Sequence, residues 1–198
     1  MFEERSDEDL MSLYLEGETR AFQTIVDRHS GPVYNFILRR SGRKPELAED
    51  ILQDTFIRVI KNAATFQRKA KFTTWLYTIA RNLCIDALRK ASYRRHPSLD
   101  QPLSSAEGSG ATLMDKVPNK DGGAEKAAHE SHFKDRLENA LNDLPEEQRE
   151  VFTMREFQGL KFWEIAEIVG VPENTIKSRM RYALQGLRGS LSEFASSD

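Results

Sequence analysis

KFWEIAEIVGVPENTIKSRMR, residues 161–181, is the stretch whose reading decides the fold. Ile165, Ala166 and Val169 recur at helical spacing and form the inner face of a short helix. Gly170 follows, a residue that turns sharply because it carries no Cβ. Val171 fills the space between the helices, Pro172 and Glu173 open a second helix, and Ile176 points back at the first. Ala166 is small where the second helix must cross closely. This spacing predicts a helix-turn-helix. The outward face of the second helix then carries Asn174, Lys177, Ser178 and Arg181, with Arg179 near its edge. Such groups donate to phosphates and to base edges in a major groove. A plain helical hairpin with a solvated basic face is the bland alternative, and the small–Gly–β-branched spacing favours DNA recognition over it. A helix-turn-helix serves many regulators, so it does not by itself name a function.

Working outward, the rest of the chain is also helical in pattern. Leu10, Leu13 and Tyr14 follow a capping Ser6-Asp7, and Ala21, Phe22, Ile25 and Val26 continue the period. Gly31-Pro32 is read as a break, with Val33, Phe36 and Ile37 beginning another helix. After a turn at 41–45, a helix is expected from Pro45 to about Ala64, with Leu47, Ile51, Leu52, Phe56, Val59, Ile60 and Ala63 inward. A further helix runs from Phe72 to about Ala91, with Phe72, Trp75, Leu76, Ile79, Ala80, Leu83, Ala87 and Leu88 inward. Residues 96–124 hold Pro97, Pro102, Pro118, four glycines and many serines, the composition of a flexible linker. Alternation of apolar and polar residues never persists, so no strand is expected. The expected fold is all-α: two small helical domains, 1–95 and 131–198, joined by a flexible linker over 96–130, the second containing the helix-turn-helix.

A net charge of −2 argues against nucleic-acid binding until its distribution is considered. Residues 61–95 carry 9 basic and 1 acidic side chains, whereas residues 1–60 carry 8 and 12 and residues 96–170 carry 8 and 15. One concentrated basic stretch is the mark of a phosphate-contacting surface. The acidic remainder weakens free DNA binding and suits a protein partner with a basic surface.

Two helix faces sharpen that division. Glu46, Glu49, Asp50, Gln53 and Asp54 share the polar side of the helix from Pro45. Each acidic group near a helix N-terminus gains roughly 0.3–1 kcal/mol from the dipole, which accounts for Glu46 and Glu49 but not Asp54, beyond the first two turns. A docking face for a basic partner is the sharper reading. The helix from Phe72 instead presents Thr73, Thr74, Tyr77, Thr78, Arg81, Asn82, Arg89 and Lys90, preceded by Arg68, Lys69 and Lys71 and followed by Arg94 and Arg95. Hydroxyl, amide, aromatic and guanidinium groups together suit single-stranded nucleic acid, whose exposed bases stack and hydrogen-bond. Trp75 lies in the apolar stripe, where core packing outweighs a stacking role.

Several classes are disfavoured. No apolar run approaches the roughly 20 residues of a membrane span, and the acidic start MFEERSDEDL lacks the apolar segment of a signal peptide. A cytoplasmic protein without stable membrane insertion is expected. The lone Cys84 fits a reducing compartment and reads as a small buried hydrophobe rather than a redox sensor. His129 and His132 share a helix face without a third ligand, so no metal and no cofactor are expected. A recombinase with a helix-turn-helix tail would need a mixed sheet domain that the pattern does not supply, so no catalytic residue is assigned. A conventional repressor or activator would leave the Thr- and Tyr-bearing basic helix unexplained.

DILQDTFIR at 50–58, FTTWLYTIARN at 72–82 and LPEEQREVF at 144–152, followed by the helix-turn-helix, together resemble the extracytoplasmic-function sigma factors of bacterial RNA polymerase. The resemblance covers nearly the whole chain outside the linker. The family has two helical domains, regions two and four, and lacks the domain between them found in housekeeping sigma factors. It implies a factor that binds core RNA polymerase, recognises −35 and −10 promoter elements and helps open the DNA. Glu49, Asp50, Gln53, Asp54, Phe56 and Arg58 would dock on the clamp helices of the polymerase. Arg68, Lys69, Lys71, Thr74, Tyr77, Thr78, Arg81, Asn82, Arg89 and Lys90 would capture the −10 element. Asn174, Thr175, Lys177, Ser178, Arg179, Arg181 and Tyr182 would read the −35 element. An anti-sigma factor is the further partner that the resemblance implies.

Overall fold

The protein is described from a computed structural model covering residues 2–67, 71–95 and 124–192, with the side chains of 92–95, 124–131, 134 and 135 left out of the description. Arg68, Lys69, most of the expected linker and the imidazole of His129 therefore lie outside the described residues. Among the described residues there are eight α-helices and no strand.

Helix α1 (Asp7–Leu15) begins at Ser6, whose hydroxyl oxygen accepts from the Asp9 backbone N–H at 3.1 Å. That cap satisfies one of the donors a helix start leaves unpaired. Asp7 also ties α1 to the next helix. It takes Arg28 and, at 2.7 Å, the Nε2 of buried His29. Burial pushes the Asp7 carboxyl up, but hydrogen bonds and charge from His29 and Arg28 outweigh it and hold it below its ordinary value.

Helix α2 (Thr19–Arg40) is continuous through Gly31-Pro32, so the break expected there does not occur. A proline inside a helix costs about 3 kcal/mol or more. The apolar stripe stays in phase across it: Ala21, Ile25, His29, Val33, Phe36 and Ile37 are all buried on one side. Two helices meeting at an angle would split that stripe, and its burial outweighs the lost hydrogen bond.

Helix α3 (Pro45–Asn62) starts with proline at its first turn, where a missing N–H is harmless. It passes into a 3₁₀ turn at Ala63–Thr65. Helix α4 (Phe72–Arg95) starts where the Phe72 N–H donates to Glu8 Oε1 of α1 at 2.8 Å. Trp75 packs against Phe66 and Phe72, with ring centroids 5.1 and 6.0 Å away.

Helical structure returns before the expected second domain. Helix α5 (Ala124–Asp143) takes up the last seven residues assigned to the linker. Helix α6 (Glu146–Phe152) continues as a π-helical turn over Thr153–Phe157. Helix α7 (Phe162–Val169) ends at Gly170, whose φ of 78° is the left-handed conformation the turn requires. Helix α8 (Glu173–Ser190) follows. Ile165, Ile168, Ile176, Met180, Ala183 and Leu187 are buried between α6, α7 and α8. The two units are not merely tethered: α7 packs along α4, and α2 meets α6 through ion pairs.

Candidate nucleic-acid interface

On α8, helical spacing separates the buried Ile176, Met180 and Ala183 from an outward row of Asn174, Lys177, Ser178, Arg181 and Tyr182, all exposed. Lys177 pairs with Glu173 one turn earlier at 2.7 Å, and Arg181 lies over the Tyr182 ring at 5.0 Å. These contacts are local to the helix surface, so a groove can be entered without breaking the fold. Thr175 is half-buried. Arg179 is placed differently from the sequence expectation. It turns back to Glu147 of α6 at 2.7 Å, with its side chain 18% exposed. The position falls on the flank of the helix that faces α6, and a carboxylate there captures it.

On α4, Asn82, Arg89 and Lys90 are exposed, and Arg89 pairs with Asp86 at 3.1 Å. Thr78 is half-buried and donates to the Thr74 carbonyl at 2.8 Å. Among the other described residues expected to hold the −10 element, Thr74, Tyr77 and Arg81 are covered, and Lys71 is exposed but engaged. Lys71 pairs with Glu164 at 2.8 Å and sits over the Trp163 ring. The Tyr77 hydroxyl donates to Gln158 Oε1 at 2.5 Å, and burial pushes its phenol far above the ordinary range. Arg81 Nε donates to Glu150 at 2.7 Å. Thr74 lies on the same helical stripe, 2% exposed, with an Oγ1 that has no hydrogen-bond partner. Glu164, Trp163, Gln158 and Glu150 all belong to the second unit.

Glu150 is the centre of that contact. It is nearly fully buried, and it receives both Arg81 and Arg40, the latter also pairing with Glu146 at 3.1 Å. Arg40 was not singled out from the sequence, because it reads there as one more basic residue closing α2. Its burial alone identifies it. Cys84 is buried close to Arg40 and Glu150, and burial pushes its thiol up to about 11, which fits the inert role expected of it.

On α3, Glu49, Asp50, Gln53, Asp54 and Arg58 are all exposed on one side. Phe56 is not part of that face. It is buried and meets the Phe22 ring edge-on at 6.4 Å, holding α3 to α2. Ile57 and Ile60 stand exposed at 45% each, although Ile60 was expected inward. A helix buried on a single side leaves such flanking positions in solvent. An apolar residue one step off the buried stripe was the sequence signal for Ile57.

Known proteins resemble this chain in sequence and in fold. Residues 25–94 match the family Sigma-70 region 2, and residues 134–187 match Sigma-70, region 4. The ECF RNA polymerase sigma factor SigW of Bacillus subtilis is 32% identical over 89% of this chain and 91% of its own length. The RNA polymerase sigma-H factor of Pseudomonas aeruginosa is 29% identical over 96% of each chain. Among solved structures, CnrH in complex with the cytosolic domain of CnrY superposes with a TM-score of 0.67 at 22% identity, covering 98% of this chain and 100% of that one. The sigma factor RpoE of Bartonella quintana, solved with the anti-sigma factor NepR, gives a TM-score of 0.67 at 24% identity over 86% of this chain and 96% of its own. These two likenesses concern the fold.

Proposed function

The chain belongs to the extracytoplasmic-function family of RNA polymerase sigma factors, and on that premise we propose how its surfaces divide the work of initiation. It binds core RNA polymerase and directs promoter-specific transcription initiation through −10 and −35 elements, a regulator's task rather than that of a catalytic family. We assign it no catalytic step: nucleotide addition belongs to the polymerase.

The α3 face of Glu49, Asp50, Gln53, Asp54 and Arg58, extended by Ile57 and Ile60, docks on the core enzyme. Exposed apolar groups beside acidic ones make the pattern of a protein interface, where burial supplies affinity and charge supplies orientation. Lys71, Thr74, Tyr77, Thr78, Arg81, Asn82, Arg89 and Lys90 on and before α4, with Arg68 and Lys69, hold the −10 strand. Opening the duplex costs stacking, and a base taken into a protein pocket offsets that cost. Asn174, Thr175, Lys177, Ser178, Arg181 and Tyr182 of α8 read the −35 element in the major groove. The segment between the two units tethers them, so that each raises the effective concentration of the other on a single promoter. An anti-sigma factor is a further proposed partner, the kind of protein with which the solved neighbour from Bartonella quintana was crystallised. No helix among the described residues is long and apolar enough to cross a membrane, and we place the chain in the cytoplasm with its polymerase.

The observation that carries the division of labour is the open, basic outer row of α8 beside the buried Ile176 seam. Run-off transcription on fragmented genomic DNA, with sigma-free core polymerase, tests it. Added protein should yield new transcripts that begin downstream of a shared two-part motif. No new transcripts, together with tight duplex binding by the protein alone, would replace this reading with a conventional regulator.

A further inference from the structure

We propose that the place where α2, α5 and α6 meet is a binding site for a phosphate group, carried by a small molecule or present as inorganic phosphate, with Arg39 and Arg149 as its cationic arms. The site goes beyond the surfaces assigned to polymerase and promoter and needs none of those assignments.

Two cavities meet there. One, of about 90 Å³, has Phe36, Arg39, Arg40, Glu146, Arg149 and Thr153 in its wall. A smaller one, of about 20 Å³, has Arg39, Arg43, Glu138, Asn142, Arg149 and Thr153. Arg39, Arg149 and Thr153 therefore stand in both walls. The larger space admits a tetrahedral oxyanion but not a sugar and base, so the rest of any ligand would stay outside.

The charges around these cavities do not cancel. Arg40 takes Glu146 and Glu150, and Arg43 takes Glu138. Those pairs use every carboxylate of the lining. Arg39 and Arg149 are left without a carboxylate within 4 Å among the described residues. Each donates one hydrogen bond there, to the carbonyls of Asn35 and Asn142, and both bonds are long at 3.4 Å. A guanidinium has five N–H donors, so most of theirs lack a protein acceptor.

Burial adds to the demand for an anion. Arg39 lies over the Phe157 ring at 4.2 Å. Burial pulls its guanidinium below the ordinary value, with Glu138 opposing that shift and Arg43 adding to it. A nearby negative charge favours the charged form of such a group. In the larger wall, the Arg40 side chain is 7% exposed and its Nε has no hydrogen-bond partner. A buried donor is costly until something accepts from it. Phosphate supplies what is missing: at neutral pH it brings about −1.5 to −2 charges and three acceptor oxygens, in a geometry that guanidinium forks match. Buried Thr153 contributes a hydroxyl to both walls.

Calorimetric titration of the full-length protein with sodium phosphate, at an ionic strength held constant with chloride, tests the site. Binding should saturate at one phosphate per chain. Arg39→Met and Arg149→Met, each keeping an apolar stem, should weaken it by about tenfold or more, the worth of a hydrogen bond to a charged group. Arg188→Met, on the exposed side of α8, should leave it unchanged. Absence of saturable binding overturns the proposal, and so does equal weakening by Arg188→Met, which would mean diffuse attraction to basic surface. If Arg39→Met loses helical circular dichroism, Arg149→Met, at a half-buried position without an ion pair, carries the comparison with the same consequences. Adenosine triphosphate and a short single-stranded oligonucleotide are then titrated into the phosphate-loaded protein. Displacement by the nucleotide alone assigns the phosphate to a nucleotide, and displacement by neither assigns it to inorganic phosphate; the site stands in both cases. Displacement by the oligonucleotide gives the arginines to the DNA backbone and overturns the small-ligand assignment.

Discussion

Helices α4 and α8 carry similar chemistry on their polar sides, but the N-terminal half of α4 is covered where α8 is open. On α8, Lys177, Ser178, Arg181 and Tyr182 face solvent, with Lys177 paired to Glu173 and Arg181 over Tyr182 of the same helix. On α4, Thr74 and Tyr77 are buried, and Arg81 and the preceding Lys71 are engaged by carboxylates of the other unit. Duplex DNA displays its −35 groove edges without distortion, so an open reading helix meets it ready-made. A −10 strand offers its bases only after unpairing, and a face that waits for melted DNA can be covered until then. On the proposed roles, the same residue types serve two targets and differ in how open they lie.

The largest expected effect concerns whether the cover is a detachable unit. Ile176 is fully buried between α7 and α8, and truncating such a residue to alanine costs about 2–5 kcal/mol. Each unit holds one tryptophan, Trp75 in the first and Trp163 in the second, so single-tryptophan variants report the units separately. In urea, Ile176→Ala should move the Trp163 transition well below its unmodified position and leave the Trp75 transition nearly in place. If both move together, the units share one cooperative core and the α4 face is not a covered surface but an interior one.

A smaller effect separates the reading role from stability. Arg181→Ala removes an exposed side chain and should change the urea midpoint little, within about 0.5 kcal/mol. It should relax −35 discrimination by about 1–3 kcal/mol, the worth of one good side-chain–base contact, measured as the ratio of transcription from matched and mismatched −35 promoters. An unchanged ratio would move the groove-facing side of α8 away from Arg181, and the contrast with α4 would lose its functional meaning.

Much of this was legible in the residues. Gly170 between two apolar periods announced the helix-turn-helix, and the all-α pattern followed from period alone. Pro32 misled because a local rule about proline was set against an apolar stripe that only the assembled helix α2 completes. Phe56 was legible as an inward residue, since helical spacing from Ile51 and Val59 turns its ring toward Phe22. What no local pattern encodes is the contact between the units. Glu150 in the sequence is one acid in an acidic run, and Arg40 one of two adjacent arginines. Their burial against each other, 110 positions apart, depends on how the two units dock.

Arg179 offers the finest discrimination, because it lies on the reading helix yet points away from the reading row. Its pair with Glu147, whose side chain is 68% exposed, belongs to the class of surface ion pairs contributing about 0–1 kcal/mol. Arg179→Ala should therefore lower stability by no more than that and leave the matched-to-mismatched promoter ratio within about twofold, well short of the loss expected for a base-reading side chain. The comparison with Arg181→Ala in the same assay is the informative quantity, since both changes remove one guanidinium from one helix and differ only in its direction. A loss at Arg179 equal to that at Arg181 would mean that DNA draws Arg179 off Glu147 and into the groove. In that case α8, like α4, would carry a basic group held by a carboxylate until nucleic acid replaces it, and covering would be a device of both helices rather than of one.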